Sequence, residues 1–140
     1  MEISIFTDGG ARRNPGPAAG GVIIRDKEGK IIFKNGFFFG IKTNNQAEYL
    51  ALIEGLEAAK GLGATQIKCF LDSELIVKQL TKEYRVKNHD LKELYFKVMQ
   101  IGGRFKNIVF LHIPRAENSE ADALVNEVLD NSSKQKVVSS

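Results

Sequence analysis

The segment GGVIIRDKEGKIIFKNGFFFG, residues 20–40, limits the possible folds more than any other stretch of this chain. Two strand-length apolar runs flank a polar turn at Glu28-Gly29, which predicts an antiparallel hairpin. A further strand, EISIFTD, precedes it. Downstream the periodicity changes. NNQAEYLALIEGLEAAKGLG predicts a helix capped by Asn44 or Asn45 and stopped by Gly61 and Gly63. TQIKCFLD reads as a strand, SELIVKQLTKEY as a helix opened by Ser73, and HDLKELYFKVMQIGG as a helix ended by paired glycines. NIVFLHI is a last strand cut off by Pro114, and NSEADALVNEVLD a last helix with Asn118 or Ser119 as its cap. The order β-β-β-α-β-α-α-β-α implies an α/β fold with an antiparallel beginning and parallel strands reached by right-handed crossovers.

Two of the strands end alike, as SIFTD and KCFLD. In each the acid shares parity with a phenylalanine, Phe6 with Asp8 and Phe70 with Asp72, so both acids face one side of their strand. As parallel neighbours these strands would carry both carboxylates to the carboxyl edge of the sheet, where open α/β sheets bind ligands. Glu48 lies in line with Ala51, Leu52, Gly55 and Ala59 at helical spacing, and Asp122 likewise heads Val125 and Leu129. Acids on core-facing stripes are costly unless paired or bound to a cation. First-turn acids also suit the helix dipole, so each alone has an ordinary structural reading. Four together, without internal lysines to match, fit a divalent metal site. Oxygen-only ligands favour Mg²⁺ or Mn²⁺ over zinc, and two such ions about 4 Å apart can clamp a phosphodiester and activate water.

The bulk properties narrow the setting. A length of 140 residues suits a single domain with a proper core. A net charge of +3 is compatible with a polyanionic partner without establishing one. The lone Cys69 excludes an internal disulfide and favours a reducing, cytoplasmic setting. The apolar runs are too short to span a bilayer, and no signal peptide is expected. No repeat or linker interrupts residues 1–130. The tail from 131 to 140, NSSKQKVVSS, has little reason to order, although Val137 and Val138 could dock.

With these residues in view, the chain resembles type I ribonuclease H over nearly its whole length, from Met1 to about Asp130. The resemblance rests on TDGGARRNPGPAAGG, TNNQAEYLAL, LDSELIVKQL and NSEADAL, in the family's order. It implies a five-stranded mixed sheet with helices on both faces, acting as a monomer. It further implies hydrolysis of the RNA strand of RNA–DNA hybrids by two Mg²⁺ ions, with Mn²⁺ a substitute, giving 5′-phosphate and 3′-hydroxyl ends. The implied metal ligands are Asp8, Glu48, Asp72 and Asp122. Gly9, Gly10 and the Asn-Pro-Gly turn would let backbone approach the nucleic acid. Asn14 would reach a ribose hydroxyl, Asn44 and Asn45 the minor groove, and Thr43 a phosphate of the DNA strand. Without the motif, Asn14 reads as a turn residue and Asn44 as a cap.

Two features depart from the family pattern. Many members carry a histidine in a flexible loop before the last helix, whereas PRAENSE has none. His112 falls inside the last strand and reads as a packed strand residue, so Arg115 becomes the residue expected at the phosphate. An arginine there binds phosphate but shuttles no proton near neutral pH. The connection TKEYRVKNHD is also too short for the added helix and basic handle of some members. Lys82, Arg85 and Lys87 remain there either as backbone contacts or as a solvated charge run. A non-cleaving hybrid-binding module, or another nuclease or transferase of the superfamily such as a resolvase or transposase core, are the competing readings. Four carboxylates disfavour the binder, and the small size with Asn14, Asn44 and Asn45 disfavours the others.

Overall fold

A computed structural model describes the backbone of residues 1–139 and the side-chain surroundings of residues 1–132. Five strands, β1 (Glu2–Ala11), β2 (Gly16–Arg25), β3 (Ile31–Lys42), β4 (Gln66–Leu71) and β5 (Asn107–His112), form one sheet in the order β3-β2-β1-β4-β5. β1, β2 and β3 pair antiparallel, while β4 and β5 extend β1 in parallel. The helices are α1 (Asn44–Gly61), α2 (Glu74–Leu80), α3 (His89–Gly102) and α4 (Ser119–Ser139), the last preceded by a 3₁₀ turn over Arg115–Asn118. The chain therefore leaves β1 toward one edge of the sheet and returns to its other side, which creates a switch point between β1 and β4.

The two faces of the sheet are covered separately. Ile3, Ile5, Val22 and Ile24 bury against Tyr49, Leu52 and Leu56 of α1, joined by α2 and α3. On the opposite face Ile23 packs on Ala121 and Leu124, and Ala19 on Val125 and Leu129, all from α4. Burying one such aliphatic side chain stabilises the fold by about 1.5–3 kcal/mol. The apolar stripes expected on α1 and α4 are the faces that bury. Tyr49 and Gln79, both buried, are joined by a 2.7 Å hydrogen bond that fixes α2 against α1.

Several boundaries differ from the sequence pattern. α2 ends at Leu80 rather than reaching Tyr84, because Lys82 takes a φ of 67° and leaves the helix. Thr43, not Asn44 or Asn45, caps α1: its hydroxyl accepts from Gln46 N–H at 3.1 Å, and Gln46 Oε1 accepts from Thr43 N–H at 2.9 Å. This reciprocal box satisfies two otherwise orphaned donors, which an asparagine one position later could not do. β1 does not stop at Asp8 but continues against β2 to Ala11. α4 does not stop at Asp130, because no glycine or proline interrupts residues 131–139. The side chains of Val137 and Val138 lie outside the described residues. Between α2 and α3 there is no additional helix, as the short connection implied. Among the described residues no helix is long and apolar enough to cross a membrane.

Candidate active site

The parallel ladder between β1 and β4 ends at the pair Thr7–Leu71. One residue earlier Phe6 and Phe70 are partners, with rings stacked at 4.8 Å and 13°. Asp8 and Asp72 come one residue after the ladder ends, so the shared parity expected from SIFTD and KCFLD carries both acids to the same rim. Asp8 still has a partner on its other side, Gly21 of β2. It is thus held by half a sheet while facing the gap that opens beyond β4.

Two glycines admit the helices that bring the remaining acids. A Cβ on Gly9 would lie 2.3 Å from the backbone of Ala47, so only glycine lets the first turns of α1 rest on β1 and deliver Glu48. A Cβ on Gly21 would lie 2.3 Å from the carbonyl oxygen of Ala121, so the same device seats α4 and carries Asp122 to the cleft. Gly9 therefore serves helix packing and also lines the cleft. Gly10 faces the same cleft, where a Cβ would meet ordinary contacts near 3.8 Å.

Oxygens of Asp8, Glu48 and Asp72 lie within 4.8 Å of one another. Asp8 and Glu48 are buried, and none of the three has a salt-bridge partner among the described residues. Gly9 N–H donates to Glu48 Oε1 at 3.2 Å, while Glu48 Oε2 is buried with no partner among the described residues. Burial, followed by the charge of Asp72, pushes the Asp8 carboxyl up to about 7. Burial, then the neighbouring Asp8, also holds Glu48 well above the usual carboxylate range. A partnerless buried oxygen and three crowded acids are what a hard divalent cation would satisfy, so the donor set fits such an ion.

Asp122 lines the same cleft, of about 420 Å³, but stands outside the tight group of three. It is near enough to Asp8 to help raise that carboxyl. Asn126, one turn further along α4, donates to Asp122 Oδ2 at 3.4 Å. Arg115 Nη2 approaches Asp122 Oδ1 at 3.9 Å with its side chain 82% exposed. His112 is the last residue of β5, as the strand pattern implied, but it is exposed rather than packed. Lys82, Arg85 and Lys87 lie in the open connection between α2 and α3.

The asparagines form a separate group on the cleft wall. Asn14 Oδ1 accepts from Asn44 N–H at 2.9 Å, and Asn44 Oδ1 accepts from Ala11 N–H at 2.8 Å. The loop after β1 is thereby tied to the start of α1. Asn45 lines the cleft beside Asn44, whereas Thr43 is engaged in its cap.

Comparison with known proteins agrees with this architecture. Residues 6–128 match the family described as Reverse transcriptase-like. The structure superposes on RNase H1 from Halobacterium salinarum NRC-1 with a TM-score of 0.92 and 40% identity, covering 94% of this chain and 99% of that one. The chain belongs to the ribonuclease H family. A second ribonuclease H structure, LC11-RNase H1 in complex with an RNA/DNA hybrid, matches with a TM-score of 0.89 and 44% identity over 93% of this chain and 98% of that one. Among curated ribonuclease H relatives, Ribonuclease HI of Halobacterium salinarum is 41% identical over 128 residues, 91% of this chain and 64% of that protein. The chain spans only 36% of the length of mycobacterial relatives that are 38% identical to it.

Sequence reasoning missed three ribonuclease H site features. Asn118, read only as a cap, is buried and donates to both Thr7 O and Asp72 Oδ2. Arg12 forms an ion pair with Asp130 of α4, tying the loop after β1 to that helix. Asn126 supports Asp122. Asn118 could have been suspected from its place one helical turn before Asp122. Asn126 could likewise have been suspected from its place four residues after Asp122 on one helix, whereas the Arg12–Asp130 pair joins segments whose proximity only the packed α4 reveals.

Proposed function

We propose that this chain is an endonuclease that hydrolyses the RNA strand of RNA–DNA hybrids, with two Mg²⁺ ions held by Asp8, Glu48, Asp72 and Asp122. The observation that carries this reading is the group of three carboxylates, two of them buried, without a cationic partner among the described residues. A pure hybrid binder gains nothing from such acids beside phosphate. The hybrid bound to the LC11 relative supports the choice of substrate. Bound divalent ions supply Lewis-acid stabilisation at phosphorus and lower the pKa of water; Mn²⁺ is expected to substitute.

The chain's own residues would do the rest. Asp8, buried between β1 and α1, would be the central ligand, with Glu48 and Asp72 beside it. Asp122, more open, would stand where water enters. Gly10, Asn14, Asn44 and Asn45 line or brace the wall that would meet the RNA minor groove, where the 2′-hydroxyl distinguishes RNA from DNA. Thr43 would serve mainly by holding that wall through its cap. Arg115 reaches toward the cleft from solvent and would engage a phosphate. Water adds to phosphorus, the P–O3′ bond breaks, and the leaving oxygen takes a proton, giving 5′-phosphate and 3′-hydroxyl products. Because one chain supplies all four acids, a monomer suffices. The single buried thiol of Cys69 supports a reducing, cytoplasmic setting.

The test is incubation with labelled RNA–DNA, RNA–RNA and DNA–DNA duplexes, with and without Mg²⁺. Cleavage of the RNA in the hybrid, dependent on Mg²⁺, is the expected result. Hybrid binding without cleavage in Mg²⁺ or Mn²⁺ would replace the enzyme by a binding module.

A further inference from the structure

Beyond the carboxylates, one buried polar side chain touches the site without belonging to it. Asn118 is 2% exposed, and its Nδ2 donates to Thr7 O at 2.8 Å and to Asp72 Oδ2 at 3.0 Å. Both partners are acceptors, so the orientation of the amide is fixed by chemistry. Its own Oδ1 is buried without a partner among the described residues. An apolar residue would avoid that cost, so the position exploits the two donors of the amide.

The place of these donors explains their use. β1 and β4 must separate after Thr7–Leu71 to let Asp8 and Asp72 stand apart around an ion. Separation leaves Thr7 O, at the end of the ladder, without a strand donor. Leu71 O points to the other edge of β4, where it accepts from Ile113 N–H at 2.9 Å just past β5. Thr7 O is closed by Asn118. The same amide then fixes one oxygen of Asp72 and leaves Oδ1 for a cation. A single rigid group thus spans the strand that carries Asp8 and the carboxylate of Asp72, and it lies one helical turn before Asp122.

We propose that Asn118 is a positioning residue of the metal centre: its amide sets the separation and orientation of Asp8 and Asp72 by bridging Thr7 O and Asp72 Oδ2. The proposal rests on the reading of the cleft as a divalent-metal site. Outer-shell partners of this kind typically change metal affinity about 10–100-fold. Asn118→Ala should therefore weaken Mn²⁺ binding, measured by calorimetry on the whole chain, by at least about tenfold. In turnover, the Mg²⁺ midpoint should rise in parallel. Excess Mg²⁺ should recover most of the rate, with KM for the hybrid within about twofold of the unmodified protein.

A merely structural role would lower the melting temperature and leave Mn²⁺ affinity unchanged; that outcome overturns the proposal. So does a raised KM that metal does not correct. Asn118→Ser, which keeps a small polar group against Thr7, is measured alongside in case the alanine variant does not fold. Should neither variant fold, the unmodified protein decides: the Asn118 side-chain amide must shift in NMR on adding Mg²⁺, and an unmoved signal refutes the assignment. Failure of the wild-type chain to bind Mn²⁺ at all would remove the metal-site reading itself. Normal Mn²⁺ binding with no effect of Asn118 would remove only this inference. Asn118-dependent Mn²⁺ binding without hybrid cleavage would remove the nuclease reading and leave this inference standing.

Discussion

The two halves of the acidic cleft are built differently. On one side Asp8 and Glu48 are buried between β1 and α1, joined by Asp72 at the end of β4, and their geometry follows from sheet register and a glycine contact. On the other side Asp122 and Arg115 stand on α4 and the turn before it, with side chains 35% and 82% exposed. The first half carries electrostatic strain that an ion would relieve. The second half is solvated and free to adjust. The contrast suggests a division between holding an ion and meeting the moving parts of a reaction, and four measurements probe it.

The largest effect is expected at the buried centre. Asp8→Asn should lower hybrid turnover by about a thousandfold or more, since one change removes a charge that every part of the cluster faces. The fold should survive, because the amide keeps the shape of the side chain. Without metal its melting temperature should not fall at neutral pH, since a repelling charge is removed. Turnover within tenfold of the unmodified chain would place the chemistry elsewhere.

Next in size is the pH dependence of stability. In the unfolded chain Asp8 releases its proton near 3.8, whereas in the fold it keeps the proton until about 7. Between those values the folded state binds more protons, so metal-free stability must fall as pH rises from about 4 to above 7. A shift of this size corresponds to a loss on the order of 2–4 kcal/mol. Glu48, raised in the same sense, adds to it. Mg²⁺ at pH 8 should restore the lost stability. Chemical denaturation across that range, with and without Mg²⁺, measures both effects, and Asp8→Asn should flatten the metal-free curve. A metal-free stability that climbs over this range would contradict the burial of these acids as ionised groups.

Asp122 should behave otherwise. With a half-open side chain, Asp122→Asn should change the metal-free stability curve less than Asp8→Asn does, and only through the charge it removes beside Asp8. Its turnover should fall about 10–100-fold, less than at Asp8, because its oxygens lie outside the tight group. An equal loss at the two positions, with equal change in the pH curve, would erase the distinction between the halves.

What the sequence disclosed follows the same division. Strand parity and helical spacing are local properties, so Asp8, Asp72, Glu48 and Asp122 could all be recognised before any packing was known. The five strands, their mixed pairing and the faces that α1 and α4 bury were legible for the same reason. Contacts that depend on two distant segments were not. Gly9 read as a loop glycine because its partner, Ala47, is distant in sequence. Asn118 read as a cap because nothing local shows that Thr7 O and Asp72 converge on it. The end of α4 was misjudged because a polar stretch without breakers resembles a tail as much as a helix.

The smallest effect, and the one that separates two neighbours, concerns Arg115 and His112. Among the described residues Arg115 has only the 3.9 Å approach to Asp122 to hold it, so it can turn toward a phosphate without breaking a packed contact. A guanidinium on a partly solvated phosphate is worth about 1 kcal/mol or somewhat more. Arg115→Ala should accordingly reduce kcat about three- to tenfold, with a smaller change in hybrid affinity. His112 ends β5 with its side chain in solvent, so His112→Ala should alter neither stability nor turnover by more than about twofold. The pH profile distinguishes the two roles. A histidine acting as general acid would impose a limb near its ordinary pKa of about 6.5, and its removal would abolish that limb. Arginine stays charged throughout and imposes none. Turnover against pH at saturating Mg²⁺ should therefore keep its shape in both variants and drop in height only for Arg115→Ala. A loss confined to His112→Ala, with an altered profile and normal folding, would transfer the role from the 3₁₀ turn to the end of β5.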